Sequence, residues 1–161
     1  MRIGVVSDTH GKPDSFREAL RQMGQIDLLI HAGDNYKDAL GMTRETGMKM
    51  VAVIGNCDWH IKGPVEEELE LMGYKILVTH GHMYGVKKGN TQLAGKLREG
   101  KYDLIIYGHS HVPDITYLPE GILLNPGSVS FPRRGSYSSY AVVNIDEQGI
   151  TPYIYELKRQ P

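Results

Sequence analysis

The stretch Ile3-Gly4-Val5-Val6-Ser7-Asp8-Thr9-His10 joins an apolar run to a polar segment that carries a carboxylate and an imidazole. Ile3 to Val6 is short and rich in β-branched residues, which predicts a buried strand. Asp8 and His10 are two residues apart, and in an extended segment such a pair projects from one face. Two side chains presented in this way can bind a common centre. The stretch therefore predicts a strand that ends at a binding site.

The same arrangement recurs after four further predicted strands. The polar segments that follow them are His31-Ala32-Gly33-Asp34-Asn35, Gly55-Asn56-Cys57-Asp58, Thr79-His80-Gly81-His82 and Gly108-His109-Ser110-His111. In open α/β sheets, ligands bind beyond the carboxyl ends of the strands. If the strands are parallel neighbours, all five segments converge on one rim. Imidazole, carboxylate and amide oxygen together suit Mn²⁺, Fe, Zn²⁺ or Ni²⁺.

The rest of the chain is predicted to alternate strands and helices before it becomes strand-rich. The helix 13–23 has apolar residues at helical spacing, with Pro13 in its first turn and Gly24 after its end. Further strands are predicted at 28–30, 50–54, 75–79 and 103–107, further helices at 38–46 and 91–99, and two hairpins within 115–124 and 140–155. This order predicts an α/β fold of two sheets packed face to face with helices outside, in a single domain over residues 1–161.

Composition narrows the class of protein. The chain has 161 residues, of which 40% are apolar and 23% charged, and a formal net charge of -1. Such a charge disfavours binding to extended nucleic acid or to an anionic membrane. No apolar run is long enough to span a bilayer. The single cysteine, Cys57, cannot form an internal disulfide, and the N-terminus lacks a secretory signal, so a cytoplasmic location is expected.

The five polar segments, taken in order, resemble the motif set of the calcineurin-like metallophosphoesterases. The motifs are D-x-H at Asp8, G-D at Asp34, G-N at Asn56, H-G-H at His80 and G-H-x-H at His109. The small size of the chain and the cysteine at position 57 are most similar to the YfcE-type phosphodiesterases of bacteria and archaea. This resemblance implies a four-layer α/β/β/α sandwich of two mixed β-sheets flanked by helices, in agreement with the predicted elements.

The resemblance also implies a site for two divalent metal ions. One ion would be held by Asp8, His10 and His111, and the other by Asn56, His80 and His109, with Asp34 bridging both. Mn²⁺ is the expected ion, with Zn²⁺, Fe or Ni²⁺ as alternatives. Two cations about 3.5–4 Å apart can bind phosphoryl oxygens, neutralise charge in the transition state and generate hydroxide near neutral pH.

Cys57 departs from the pattern of the wider family. Most members carry histidine after the asparagine, followed by an acid, as a dyad that protonates the leaving oxygen; here Asp58 remains without its histidine. A thiol with the ordinary pKa of about 8.5 is mostly protonated at neutral pH but is a weak hydrogen-bond donor. Passive packing is therefore favoured for Cys57 over weak proton donation or redox chemistry. His82 is a further catalytic candidate, either contacting phosphate or donating a proton, with simple exposure at the rim as the alternative.

The function that these residues favour is a metal-dependent phosphodiesterase that hydrolyses a small diester with a hydroxide activated by two metal ions, without the usual histidine general acid. A non-catalytic interaction module on the same fold, like the retromer subunit, is the main alternative, but loss of catalysis should have removed some of the seven ligands. A phosphomonoesterase or protein phosphatase is disfavoured by the missing histidine, and a nuclease by the low net charge. Alternating apolar residues and tyrosines near the C-terminus suggest a homodimer.

Two roles are possible for each of several polar or aromatic residues near the motifs. Arg133 and Arg134 could bind a second phosphate, although an exposed pair in a loop is expected, and Lys87 and Lys88 are expected to be solvated. The segment 125–128 either lines the site or forms a structural turn. His31 is expected to be hydrogen-bonded behind the site, and Trp59 with His60 either walls a substrate pocket or, for Trp59, packs in the core.

Overall fold

Ten strands and three helices form the structure, a computed structural model that describes residues 1–158. The strands are β1 (Arg2–Val6), β2 (Leu28–His31), β3 (Met50–Ala52), β4 (Glu66–Leu71), β5 (Tyr74–Thr79), β6 (Leu104–Ile106), β7 (Asp114–Leu118), β8 (Gly121–Asn125), β9 (Ser139–Asp146) and β10 (Gly149–Glu156). The helices are α1 (Pro13–Met23), α2 (Tyr36–Thr46) and α3 (Thr91–Arg98), and a 3₁₀ turn covers His82–Tyr84. The predicted end of the domain at residue 161 lies outside the described residues.

The strands form two mixed five-stranded sheets. The order is β10-β9-β1-β2-β3 in the first sheet and β4-β5-β6-β8-β7 in the second. Within the first sheet β1, β2 and β3 are parallel, and β9 is antiparallel to both β1 and β10. Within the second sheet β5, β6 and β8 are parallel, and the edge strands β4 and β7 are antiparallel to their neighbours. Parallel neighbours require crossover connections, and α1, α2 and α3 provide three of them. The two C-terminal hairpins are divided, with β7–β8 in the second sheet and β9–β10 in the first.

The core lies in three layers between and outside the sheets. Ile3, Val5 and Ile30 of the first sheet pack against residues of the second such as Ile76 and Ile106, all fully buried. Helices α1 and α2 cover the outer face of the first sheet, and α3 covers that of the second. The predicted α/β/β/α sandwich is confirmed. None of the helices in the described part of the chain is long and apolar enough to cross a membrane.

Strand β4 was not predicted from the sequence. Its residues read Glu-Glu-Glu-Leu-Glu-Leu, so apolar residues alternate with glutamates only over the last four positions. Only Leu69 and Leu71 pack against the core. The hydroxyls of Tyr84 and Tyr102 donate hydrogen bonds to Glu66 and Glu68. A charged strand of this kind suits the edge of a sheet, where it discourages pairing with other chains.

Three C-terminal tyrosines lie on β9 and on β10, an edge strand of the first sheet. Tyr153 and Tyr155 are exposed, whereas Tyr140 of β9 is buried and stacks on Tyr155 with ring centroids 5.6 Å apart. The tyrosines thus combine a packing role with an exposed apolar surface. The homodimer stays a prediction.

Candidate metal centre

The polar segments converge because the parallel strands of both sheets end at the same edge of the sandwich. Asp8 and Asp34 follow β1 and β2 of the first sheet, and His80 and His109 follow β5 and β6 of the second. The predicted convergence of the segments is thus produced by strands of two sheets, and the site lies between them. Potential ligand atoms form two clusters, each within 4.8 Å: Asp8, His10, Asp34 and His111, and Asp34, His80 and His109.

In the first cluster a buried carboxylate faces two imidazoles. Asp8 Oδ1 lies 3.1 Å from His111 Nε2 and 3.8 Å from His10 Nε2, and the two imidazole nitrogens are 3.2 Å apart. Asp8 Oδ2 accepts hydrogen bonds from Ser7 Oγ and the His109 amide. Asp8 Oδ1 is buried and has no hydrogen-bond partner among residues 1–158. Leaving such an oxygen unsatisfied is costly, so its position fits a cation that it would bind.

Asp34 joins the first cluster to the second. One oxygen, Oδ1, lies 3.3 Å from His80 Nε2, and the other, Oδ2, lies 3.7 Å from His10 Nε2. His80 Nε2 is also 3.2 Å from Asn56 Oδ1 and 3.2 Å from His109 Nδ1. The two oxygens of Asp34 thus face different clusters, which is the geometry a bridging ligand requires.

Two backbone carbonyls fix the tautomers of the histidines. His80 Nδ1 donates to the Ala32 carbonyl at 2.8 Å, and His111 Nδ1 donates to the Phe131 carbonyl at 2.6 Å. Because a carbonyl only accepts, the Nδ1 atom must carry the proton in each ring. In the Nδ1-protonated neutral tautomer, which is the form that binds a metal ion, the Nε2 lone pair of each ring is directed into a cluster.

The electrostatics favour the metal-binding forms of Asp34 and His109, whereas for His80 burial lowers the pKa but the Asp34 and Asp8 carboxylates outweigh it and raise it. Burial raises the pKa of Asp34, but the hydrogen bond and charge of His80 outweigh it and hold that pKa below its ordinary value. Burial, with the charges of His80 and Lys87, lowers the pKa of His109 to about 4. Asp34 is therefore ionised and His109 neutral near neutral pH. Metal binding requires deprotonated ligands of this kind.

The ligand loops have an unusual backbone. Eight non-glycine residues among residues 1–158 have positive φ, and five of them are the candidate ligands Asp8, His10, Asp34, His109 and His111, with φ between 47° and 66°. Left-handed conformations are uncommon for such residues and cluster at functional sites. The left-handed turns direct these side chains back toward the centre of the site.

Close approach of Gly55 to Asp34 gives a first testable prediction. A Cβ atom at position 55 would lie 2.1 Å from Asp34 Oδ1 and 2.5 Å from its backbone nitrogen. We expect Gly55→Ala to displace Asp34, lowering metal affinity at least about tenfold and stability by about 1–3 kcal/mol. Calorimetric titration with Mn²⁺ and thermal melts measure both effects.

Gly41→Ala is the matched control, because a Cβ there meets nothing within 4 Å and the position is inside α2. It should bind Mn²⁺ like the unchanged protein and gain about 0.5–1 kcal/mol of stability. Unaltered Mn²⁺ affinity in Gly55→Ala would show that the position of Asp34 is not essential.

The segment after Asn56 holds the candidates for proton transfer. Cys57 is exposed, and its amide donates to Asp34 Oδ1 at 2.9 Å. Partial desolvation and the Asp34 carboxylate raise the pKa of the Cys57 thiol to about 11, so the thiol is protonated near neutral pH. Asp58 is buried, and its two oxygens accept hydrogen bonds from the amides of Tyr36 and Gly55. Asp58 therefore holds the loop that presents Asn56 and Cys57.

His82 lies beside the second cluster. Its ring centroid is 5.4 Å from that of His80 and 6.0 Å from that of His109. Its Nδ1 is buried and has no hydrogen-bond partner in the described part of the chain. Burial and the charge of His80 lower the pKa of His82. A neutral imidazole with a free nitrogen is thus available next to the site.

Residues behind the ligands complete the centre; Asn125, Ser128 and His31 had been considered from the sequence, and Ser130 had not. Ser128 and Ser130 donate hydrogen bonds to the Asp8 carbonyl, and Asn125 donates to the Gly108 carbonyl. The segment 125–128 therefore supports the ligand loops as a structural turn. His31 is buried with Nε2 3.1 Å from Thr9 Oγ1, as expected for a residue behind the site. Trp59 is 78% exposed, which excludes the core position.

Comparison with known proteins identifies the family. The sequence model of the calcineurin-like phosphoesterase superfamily domain matches residues 1–148. The chain belongs to this superfamily. A probable metallophosphoesterase of Bacillus subtilis, YsnB, is 34% identical over 160 residues, which cover 97% of this chain and 91% of that protein. The phosphodiesterase YfcE of Escherichia coli is 29% identical over 171 residues, covering 91% and 89% of the two chains.

Two solved structures with the same architecture extend the comparison. A predicted phosphoesterase from Streptococcus pneumoniae is 29% identical, with a TM-score of 0.78 over 98% of this chain and 92% of that one. Vps29 of Entamoeba histolytica, solved in complex with Zn²⁺, is 20% identical, with a TM-score of 0.76 over 98% and 100% of the two chains. At that identity the second similarity shows the fold alone. The predicted calcineurin-like phosphoesterase family is confirmed.

Proposed function

We propose that the protein is a phosphodiesterase that uses two divalent metal ions, Mn²⁺ in the first instance, to hydrolyse a small phosphodiester. The observation that carries the proposal is Asp34, whose two oxygens face the two ligand clusters. The unsatisfied oxygen of Asp8 supports it independently. The clusters consist of nitrogen and oxygen atoms, and the thiol of Cys57 belongs to neither, which suits Mn²⁺ better than a metal that prefers thiolates.

Each ligand has a defined place in the proposed site. Asp8, His10 and His111 would hold one ion, Asn56, His80 and His109 the other, and Asp34 both. When bound, the ions would supply Lewis acidity for the phosphoryl oxygens and activate water near neutral pH. The protein fixes the directions of its ligands before binding, through the hydrogen bonds of His80 and His111 to backbone carbonyls.

Proton transfer is where this chain differs from the wider family. Position 57 presents a thiol, which is protonated but a weak donor. Asp58 is engaged by backbone amides, and no imidazole follows Asn56. Esters with leaving groups that depart without a proton are therefore the expected substrates. His82 is a further imidazole beside the second cluster and is only half-buried, and we assign it to contact with the substrate phosphate.

The alternative is a protein-interaction module on the same fold, which the structural similarity to Vps29 suggests. The complete set of seven candidate ligands favours the enzyme. A cytoplasmic location is part of the proposal and is supported by the single, exposed cysteine.

A metal and substrate panel tests the proposed function. Protein freed of ions with a chelator should not hydrolyse bis(p-nitrophenyl) phosphate, and Mn²⁺ should restore hydrolysis, with p-nitrophenyl phosphate as the poorer substrate. Faster hydrolysis of the monoester would indicate a phosphomonoesterase. Tight Mn²⁺ binding without turnover of any ester would favour the interaction module. Full activity in protein shown by elemental analysis to be metal-free would refute the site.

A further inference from the structure

A basic cleft adjoins the metal centre. Its volume is about 720 Å³, and its lining includes Lys87, Lys88, Arg133, Arg134 and Ser110, the residue between the ligands His109 and His111. A smaller cavity of about 360 Å³ is lined by Lys87, Lys88 and His109. The cationic surface is thus continuous with a ligand of the second cluster. None of the five polar segments predicted this cleft, because its cations come from two other loops.

The cleft concentrates positive charge, because four cationic side chains line it against one carboxylate. Its single lining carboxylate, Asp114, already accepts hydrogen bonds at Oδ2 from Thr116, Tyr107 and Asn90. The lysine and arginine ion pairs of residues 1–158 involve Arg17, Arg21, Lys96 and Lys101, so none of the four cleft cations has such a partner there. In a chain of net charge -1, this patch creates a local field that attracts anions.

Hydrogen bonds hold the two basic loops against the centre. Arg134 Nη2 donates to the Lys87 carbonyl at 3.1 Å, which joins the loops to each other. The Arg133 amide donates to the His111 carbonyl at 3.3 Å, which joins one loop to a ligand segment. Lys87 and the ligand His109 line the same smaller cavity. The cations are therefore placed at a set position relative to the site of hydrolysis.

We propose that the basic cleft binds a second phosphate group of the substrate, and that the substrate class is a nucleotide-sized phosphodiester bearing an additional phosphate. The proposal rests on the proposed function for the position of the scissile bond. Arginine and lysine are the side chains that bind phosphate most strongly in proteins. A cleft of this volume beside the metal centre accommodates a phosphorylated sugar while the diester occupies the ion site.

The test compares two substrates that differ only in the second phosphate. They are the p-nitrophenyl ester of thymidine monophosphate and the same ester phosphorylated on the remaining sugar hydroxyl. With Mn²⁺ present, we expect kcat/KM to be at least about tenfold higher for the phosphorylated ester. In the double variant Lys88→Gln/Arg133→Gln this ratio should fall toward one. The ratio should also shrink at high ionic strength, because exposed charges are screened.

Lys101→Gln is the control, with the same loss of charge at a lysine that pairs with Glu99 and precedes β6. It should keep the ratio of the unchanged protein. A ratio near one in the unchanged protein, or one that the double variant leaves intact, overturns the subsite. Calorimetric titration of the ion-free protein measures binding without hydrolysis. In this experiment thymidine bisphosphate should bind at least about tenfold more tightly than thymidine monophosphate. If neither ester is hydrolysed, the proposed function fails, and the calorimetric comparison still decides the subsite.

Discussion

Replacing Asp34 by asparagine is expected to lower kcat/KM for bis(p-nitrophenyl) phosphate by at least about a hundredfold and to remove at least one bound ion. The side chain is 2% exposed and faces both ligand clusters. Asparagine keeps the size but loses the negative charge, so the charges of two adjacent cations would no longer be offset. Hydrolysis rates and elemental analysis of the same sample measure the two losses together.

The control is Asp14→Asn, which removes one carboxylate from a side chain that is 95% exposed and pairs only on the surface with Arg17. It should retain its ions and its activity, because exposed pairs contribute little. Normal ion content with normal activity in Asp34→Asn would exclude Asp34 as a bridging ligand and with it the two-ion site.

A steep dependence on the leaving group is the second large effect. For a series of aryl and alkyl diesters we expect the rate to fall by about 10²–10⁴ more than in an enzyme with a histidine acid, the range that general acid catalysis contributes. The physical reason is that the thiol of Cys57 is a poor donor and Asp58 is engaged by the amides of Tyr36 and Gly55. The measurement is the slope of log kcat/KM against the pKa of the leaving group.

Cys57→Ala should leave both that slope and the activity nearly unchanged. A hundredfold loss in Cys57→Ala, with ion content intact, would mean that the thiol takes a direct part in the reaction. A shallow slope in the unchanged protein would mean that another side chain protonates the leaving group, and His82 would then be the residue to replace.

The fold could be predicted where local chemistry determines the element. Helix α1 was predicted with the bounds Pro13–Met23 because its apolar spacing, proline and glycine agree. Strand β4 was missed because four of its six residues are glutamates, two of which are held by tyrosines distant in sequence. The pairing of the β9–β10 hairpin with β1 could not be predicted either, because nothing in the sequence of the hairpin indicates which strand it pairs with.

The residues of the candidate site were easier to predict from the sequence than the order of strands in the sheets. Asp8, His80 and His109 each follow a strand directly, so their convergence could be argued from the sequence. The carbonyl acceptors of His80 and His111 could not be predicted, because every residue has a carbonyl and only the fold selects Ala32 and Phe131. The first of the two serines behind Asp8 belongs to the polar segment that follows β8, which the sequence did indicate as a possible part of the site.

The left-handed backbone at five ligands links the function of this protein to its lifetime. Each such residue costs roughly 1–3 kcal/mol of conformational strain, against a total stability of about 5–15 kcal/mol for a domain. Ions that bind only the native state would stabilise the folded protein and so offset part of this strain, by about 2.7 kcal/mol at an ion concentration one hundred times the dissociation constant. A cell depleted of the proposed ion would then hold a protein that unfolds more often and is degraded sooner. Scarcity of the metal would lower the amount of the protein as well as its turnover. The abundance and the activity of the protein would then both depend on the availability of the metal.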